Sequence, residues 1–194
     1  VLIAGQDPIP EQTKATAKRA ADHFRDLLRF DRGGYALLEP AGTVLEERIG
    51  YMSAIAGDFE QARHWWQQAI SENPSDELLL RYGQLVERVD GVKPLAIWLD
   101  DARKQYGDRA VLIGLRADLG RRQAFSALQQ GQPMAAASHL KVLVRWIGEE
   151  PGLLEDIALL LDQAEATEEA KQFRERANFI RANGGIPAPV PDRP

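Results

Sequence analysis

Hydrophobic residues recur every three or four positions along most of the chain, which is the spacing of an amphipathic helix. Residues 20–28 and 157–164 show this spacing most plainly. Because the sequence contains no convincing stretch of alternating β-branched residues, it predicts no sheet. The pattern predicts an all-α chain of nine helices, at residues 10–30, 42–56, 58–72, 76–89, 93–106, 109–130, 132–147, 151–164 and 167–182.

A short pattern, in which a glycine is followed five residues later by an alanine, repeats along the chain. It occurs as Gly57 with Ala62, Gly91 with Ala96, and Gly131 with Ala136. A fourth copy keeps Ala170 but has Glu165 at the glycine position. Each copy lies between two predicted helices, so the pattern marks the turn of a helical hairpin.

The two residues of this pattern have different physical roles in such a turn. Glycine suits the left-handed backbone conformation that ends one helix. A small residue one turn into the next helix lets the two antiparallel backbones approach closely. In the first copy, Asp58 is in addition a good N-cap for the second helix. The sequence therefore predicts a series of antiparallel hairpins.

The repeating unit resembles the tetratricopeptide repeat, a helix–turn–helix unit of about 34 residues. In the copy at residues 43–76, the family positions are matched by Gly50, Gly57, Ala62, Trp66, Ala69 and Pro74. In the copy at residues 151–184, they are matched by Leu154, Ile157, Ala158, Leu161, Ala170 and Ala177. The resemblance implies a right-handed superhelix, or α-solenoid, of antiparallel hairpins over residues 10–182. An extended segment at 1–9 and a proline-rich tail at 183–194 are expected to flank it.

The two middle copies depart from the family pattern. In the second copy, Asp100 and Arg103 fall where apolar residues are expected. We therefore expect its second helix to be rotated by one residue, which buries Leu99 and Ala102. The third copy contains six extra residues, which predicts a longer first helix over residues 109–130.

Composition excludes several classes of site. The chain has no cysteine, which excludes disulfides, zinc–thiolate sites and thiol catalysis. A net charge of −5 argues against a nucleic-acid-binding module, and no apolar run is long enough to cross a membrane. The histidines His23, His64 and His139 lie on separate predicted helices without the spacing of metal ligands. We expect no catalytic residue, no cofactor and no metal ion.

The family resemblance also implies where a partner would bind. In tetratricopeptide repeats, the first helix of each hairpin lines a concave groove. The corresponding positions here are Glu47, Tyr51, Arg81, Arg88, Arg121, Arg122 and Phe125. Four arginines in a groove imply an acidic or C-terminal peptide, although the family's clamp for C-terminal carboxylates is matched only at Arg122. The alternative is that the arginines pair with neighbouring acids such as Glu87 and Asp118 on a solvated face.

Two functional interpretations follow from this resemblance. The first is a non-catalytic scaffold that binds a partner protein or peptide in the groove, with assembly of a bacterial envelope or multiprotein complex as its setting. The second is an accessory repeat region of a longer polypeptide whose catalytic domain lies outside this chain. Because the chain begins with Val1 rather than Met, a periplasmic or membrane-tethered location is favoured over a cytoplasmic one.

Overall fold

The computed structural model describes residues 8–32 and 41–184, and all regular secondary structure within them is helical. The nine helices of this described part are α1 (Glu11–Arg32), α2 (Ala41–Ala56), α3 (Phe59–Glu72), α4 (Asp76–Asp90), α5 (Val92–Tyr106), α6 (Ala110–Gln129), α7 (Pro133–Ile147), α8 (Pro151–Gln163) and α9 (Thr167–Ala182). The prediction of an all-α fold is confirmed. Of the predicted N-terminal segment at 1–9, residues 1–7 lie outside the described part. Of the predicted tail at 183–194, residues 185–194 lie outside it.

The helices begin and end within two residues of their predicted bounds, because local signals fix their ends. Asp58 is the N-cap of α3, as predicted, and its carboxylate accepts a hydrogen bond from the Gln61 backbone amide at 3.2 Å. Ser75 caps α4 in the same way, through the Leu78 amide at 3.1 Å. Each cap satisfies a backbone donor that the helix itself leaves unpaired.

The four repeated turns share one backbone feature, which is a residue with a positive φ angle, in the left-handed half of the φ range. The φ angles are 83° at Gly57, 94° at Gly91, 69° at Gly131 and 61° at Glu165. The prediction of glycine turns is thus confirmed in three hairpins. In the fourth hairpin, Glu165 takes the same conformation with a side chain attached, although side chains disfavour it.

In the second helix of a hairpin, the buried residues can be located by counting positions along the sequence from this left-handed residue. In α3 and α7, the residues five, nine and twelve positions after it are buried; they are Ala62, Trp66 and Ala69 in α3, and Ala136, Leu140 and Leu143 in α7. In α5 the buried residues come one position earlier, at Leu95, Leu99 and Ala102. The predicted one-residue rotation of this helix is confirmed.

The rotation corrects one detail of the repeat pattern. Ala96 was expected to be the small residue at the close helix contact, but it is only half-buried and Leu95 occupies that position. The reason is the length of the turn. Gly91 is both the C-cap of α4 and the N-cap of α5. In the α2–α3 hairpin, by contrast, Asp58 lies between Gly57 and the first residue of α3. A helix that starts one residue earlier presents each face one residue earlier, a rotation of about 100°.

The chain divides into two compact units, Val1–Leu112 and Ile113–Pro194. In the first unit, Ala21 and Leu28 of α1 pack with Leu45 and Ile49 of α2, and Trp65 of α3 covers this cluster. Trp66, predicted to be a core residue, is 2% exposed and lies against Gly50 of α2.

In the second unit, α6 to α9 enclose a core of small and aliphatic side chains. Its fully buried members include Ala136 and Leu143 of α7 and Ile157 of α8. The helix α6 is 20 residues long against 16 for α2, which confirms that the extra residues of the third copy lengthen its first helix.

Candidate functional site

A pocket of about 310 Å³ lies between α2, α3 and α4 in the first unit. Two helix faces form its long walls, because Tyr51, Ala54 and Ile55 follow one another at helical spacing on α2, as do Leu80, Gln84 and Arg88 on α4. The residues that line the pocket are Ile9, Tyr51, Ala54, Ile55, Phe59, Trp66, Glu77, Leu80, Arg81, Gln84, Leu85 and Arg88. The pocket is therefore largely apolar, with its charged groups on α4.

Arg81 is held in place by two acids and an aromatic ring. Its guanidinium donates to Glu47 at 2.9 Å and to Glu77, and its central carbon lies 5.0 Å from the centre of the Tyr51 ring. The Glu47 contact connects α2 with α4. Both terminal nitrogens of the Arg81 guanidinium thus donate to carboxylates of this chain. The main role of Arg81 is therefore to hold the wall of the pocket.

Arg88 is in a different situation at the same pocket. Its guanidinium carbon lies 5.0 Å from the centre of the Phe59 ring, and the side chain is exposed. Within the described residues, no carboxylate forms an ion pair with it. The flat ring orients the guanidinium by a cation–π contact and leaves its hydrogen-bond donors available.

The helices that carry the pocket are tied together behind it. Arg63 of α3 donates to Asp90 of α4 at 2.6 Å, and this hydrogen bond raises the pKa of Arg63. Gln67 of α3 donates to the Tyr82 hydroxyl at 2.6 Å, and burial raises the pKa of that hydroxyl. Both contacts join α3 to α4, so they hold together two of the helices that line the pocket.

The structure separates the seven predicted groove residues into two sets. Tyr51, Arg81 and Arg88 line the pocket, and Glu47 supports it through Arg81. The other three residues, Arg121, Arg122 and Phe125, lie on α6, in the second unit.

In this α6 set, the side chains are open to solvent. Arg122 donates to Asp118 at 2.8 Å, so the predicted pairing with that acid is confirmed. Phe125 is 62% exposed. Their role in a groove stays a prediction.

Sequence reasoning missed several residues of the pocket. Phe59, Leu80 and Gln84 complete its walls, and Ile9 reaches it from the segment before α1. The spacing of Leu80 and Gln84 from Arg81 and Arg88 was visible in the sequence as one helix face. No sequence signal connects Ile9 with residues more than 40 positions away.

The histidines show no arrangement for metal binding or catalysis within the described residues. His23 and His64 are exposed, and His139 is half-buried. Burial lowers the pKa of His139, and the positive charge of Arg116 lowers it further. No group of three or more potential ligands for a metal ion occurs in the described part of the chain. None of the helices described there combines the length and apolar character of a membrane span.

Comparison with known proteins adds two remote structural similarities. No protein-family model matches the chain, and no curated protein matches it. MamA MSR-1 C2 is 15% identical over 85% of this chain and 98% of its own, with a TM-score of 0.36. BtubC (BKLC) from P. vanneervenii is 14% identical over 97% of both chains, with a TM-score of 0.35. At these TM-scores, neither similarity carries an argument about the function of this chain.

Proposed function

We propose that this chain is a non-catalytic interaction protein that binds a segment of a partner protein in the pocket between α2, α3 and α4. The observation that carries the proposal is the apolar pocket with an available arginine at its side. Tyr51, Ile55 and Leu80 supply apolar walls, and Arg88 supplies an oriented cation without a carboxylate partner among the described residues. Concave, mostly apolar pockets with a few placed polar groups are the usual form of binding sites.

The chemistry of the pocket defines what the partner segment carries. An aliphatic or aromatic side chain gains by leaving water for the apolar walls, at roughly 25 cal/mol for each Å² that it buries. A carboxylate beside that side chain accepts hydrogen bonds from Arg88, in a charge-assisted and planar arrangement that arginine suits. The segment is therefore acidic next to an apolar residue, or it ends in a C-terminal carboxylate.

The predicted relationship to tetratricopeptide repeats supports the same role, since these repeats present concave binding surfaces. In this proposal, Arg121, Arg122 and Phe125 form a second contact surface on α6. Binding serves the assembly of a multiprotein complex, with the bacterial envelope as the expected setting.

A random peptide library displayed with free C-termini tests the proposal without knowledge of the natural partner. Peptides selected on the unaltered protein are synthesised, and their affinities are measured for it, for Arg88→Gln and for Arg48→Gln. Arg48 is a matched control because it also stacks on an aromatic ring, that of Phe24, at 5.8 Å, and does not line the pocket.

We expect the selected peptides to be acidic and to bind Arg88→Gln about tenfold more weakly, which is the worth of one hydrogen bond to a charged group. Arg48→Gln is expected to bind them normally, and added salt is expected to weaken binding. Equal affinity for Arg88→Gln and the unaltered protein would contradict the proposal. The double variant Arg121→Gln/Arg122→Gln then reports whether the α6 set is used instead.

A further inference from the structure

The first helix of each hairpin has a buried position four residues before a small residue. The small residues, which are themselves buried, are Gly50, Gly83, Gly120 and Ala158. The residues four positions earlier, all of them buried, are Glu46 of α2, Leu79 of α4, Arg116 of α6 and Leu154 of α8. Because α4 and α8 have leucine there, an aliphatic side chain is sufficient for packing at this position. The arginine of α6 therefore needs another explanation.

Arg116 is buried without a partner for its charge. Only 6% of its surface is exposed, and its Nε and Nη1 atoms are enclosed and make no hydrogen bond. Among the residues that the structure describes, no carboxylate forms an ion pair with it. A guanidinium stays protonated in proteins, and a buried charge is strongly unfavourable unless a counter-charge and hydrogen bonds compensate for it. The unpaired donors of Arg116 therefore require an anion.

His139 of α7 lies within the electrostatic reach of Arg116. Burial lowers the pKa of its imidazole, and the charge of Arg116 lowers that pKa further. His139 is therefore mainly neutral at pH 7 and has one N–H group to donate. The side chain is half-buried, so part of it stays in contact with solvent. An anion that enters here accepts hydrogen bonds from both helices of the hairpin.

The packing around Arg116 limits the size of this anion. Because Nε and Nη1 are enclosed, an anion reaches the guanidinium only after side chains rotate. Arg116 has a long, flexible stem and His139 is partly in solvent, so these two side chains can make room. A rearrangement of this kind admits an ion of a few atoms and excludes a peptide chain. The planar donors of arginine match the oxygens of carboxylate and phosphate.

We propose that Arg116 and His139 form a binding site for a small oxyanion, of the class of inorganic phosphate or the carboxylate of a short organic acid, within the α6–α7 hairpin. The ion supplies the counter-charge of Arg116 and stabilises the packing of α6 on α7. Both residues belong to the second unit and neither lines the pocket, so this inference does not rest on the proposed function.

Thermal unfolding of the full-length protein tests this site. The midpoint is measured at pH 7 and constant ionic strength in sodium chloride, sodium phosphate and sodium acetate. Three proteins are compared, which are the unaltered protein, Arg116→Leu and the control Arg19→Leu. Arg19 is an exposed arginine of α1, so its replacement removes the same charge without changing a buried site. A general effect of the salt on stability changes all three midpoints alike.

In chloride, we expect Arg116→Leu to unfold about 2 °C or more above the unaltered protein, because leucine removes an unpaired buried charge. Phosphate or acetate at ten times its Kd is expected to raise the midpoints of the unaltered protein and Arg19→Leu by about 2–4 °C, and to leave that of Arg116→Leu nearly unchanged. A response to phosphate alone supports the site and restricts its ligand to phosphate-like ions. An equal response of Arg116→Leu, no response to either ion, or a lower midpoint of Arg116→Leu in chloride would overturn the inference.

A second measurement needs no variant. In the unaltered protein at pH 7, phosphate is expected to shift the imidazole proton resonances of His139 in a saturable way, and to leave those of the exposed His23 and His64 unchanged. The shift is expected toward the protonated form, because a nearby anion favours the imidazolium. An unmoved His139 resonance, or equal shifts of all three histidines, would contradict the site.

Discussion

The hairpins α2–α3 and α6–α7 both place a glycine against a large buried side chain, at different distances from the turn. Gly50 of α2 lies seven residues before Gly57, and its hydrogen faces the ring of Trp66. Gly120 of α6 lies eleven residues before Gly131 and faces Leu143. A Cβ atom at either glycine would come within 3.0 Å of that side chain.

The difference shows how a longer helix keeps the same packing device. Because α6 extends one turn further from its hairpin turn than α2 does, its close contact also lies one turn further along α7. The side chain that faces Gly120 is a leucine, whose branched end can rotate, whereas the side chain that faces Gly50 is a rigid indole. Trp66 has a second function that Leu143 lacks, since its ring also forms part of the pocket wall.

The largest predicted effect separates these two glycines. We expect Gly50→Ala to destabilise the protein by about 2–3 kcal/mol, because the new methyl group meets a rigid, buried ring whose Nε1 also donates to the Glu47 carbonyl at 3.1 Å. We expect Gly120→Ala to cost about 1 kcal/mol or less, because Leu143 can shift its end and alanine favours the helix. Denaturant unfolding followed by far-ultraviolet circular dichroism measures both, and equal losses would contradict the distinction.

The second prediction compares two alanines that are equivalent in the sequence pattern. Ala62 is fully buried at the close contact of its hairpin, whereas Ala96 is rotated away from it. We expect Ala62→Leu to cost about 1–3 kcal/mol through overpacking, and Ala96→Leu to change the free energy of unfolding by less than about 0.5 kcal/mol. A large loss in Ala96→Leu would show that the register of α5 is wrong.

The third prediction concerns the turn between α2 and α3. We expect Gly57→Val to destabilise by about 1–2 kcal/mol, because a side chain is disfavoured at positive φ. No atom lies within 4 Å of the position that its Cβ would take, so the loss would come from the backbone alone. Thermal unfolding measures it, and an unchanged midpoint would contradict the strain.

The smallest predicted effect is a gain at the equivalent position of the α8–α9 hairpin. We expect Glu165→Gly to stabilise the protein by up to about 1 kcal/mol, because glycine adopts the left-handed conformation without a steric penalty. Part of the gain is offset by the greater freedom of glycine in the unfolded chain. Urea unfolding beside the unaltered protein is the measurement, and a loss of stability would show that the Glu165 side chain contributes contacts of its own.

The parts of the fold that were predictable from the sequence are those that local signals determine. Helical spacing and caps such as Asp58 fix the helices, and glycines such as Gly57 fix their ends. The rotation of α5 was predictable from the polarity of Asp100 and Arg103. Its cause, a turn shortened at Gly91, was not, because the pairing of Gly91 with Ala96 matched the other copies.

The candidate site was predictable only in part. Tyr51, Arg81 and Arg88 came from helix positions implied by the family resemblance, and the structure brings them to one pocket. Phe59 and Ile9 were missed because periodicity describes the face of a single helix and holds no information on which distant segments meet. The use of Arg121, Arg122 and Phe125 by a partner remains to be tested by the double variant proposed above.

The single-residue turn between α4 and α5 has a consequence for how this protein can evolve. If the turn took the longer form of the α2–α3 turn without an inserted residue, Asp100 and Arg103 would move toward the core and Leu99 toward the surface, because Asp100 and Arg103 lie nine and twelve positions after Gly91 and a shift of one residue rotates the helix by about 100°. A later substitution at one position alone would not repair that change. The length of the turn and the polar pattern of α5 are therefore inherited together, and a homologue that has the longer turn without an inserted residue is expected to carry apolar residues at both polar positions.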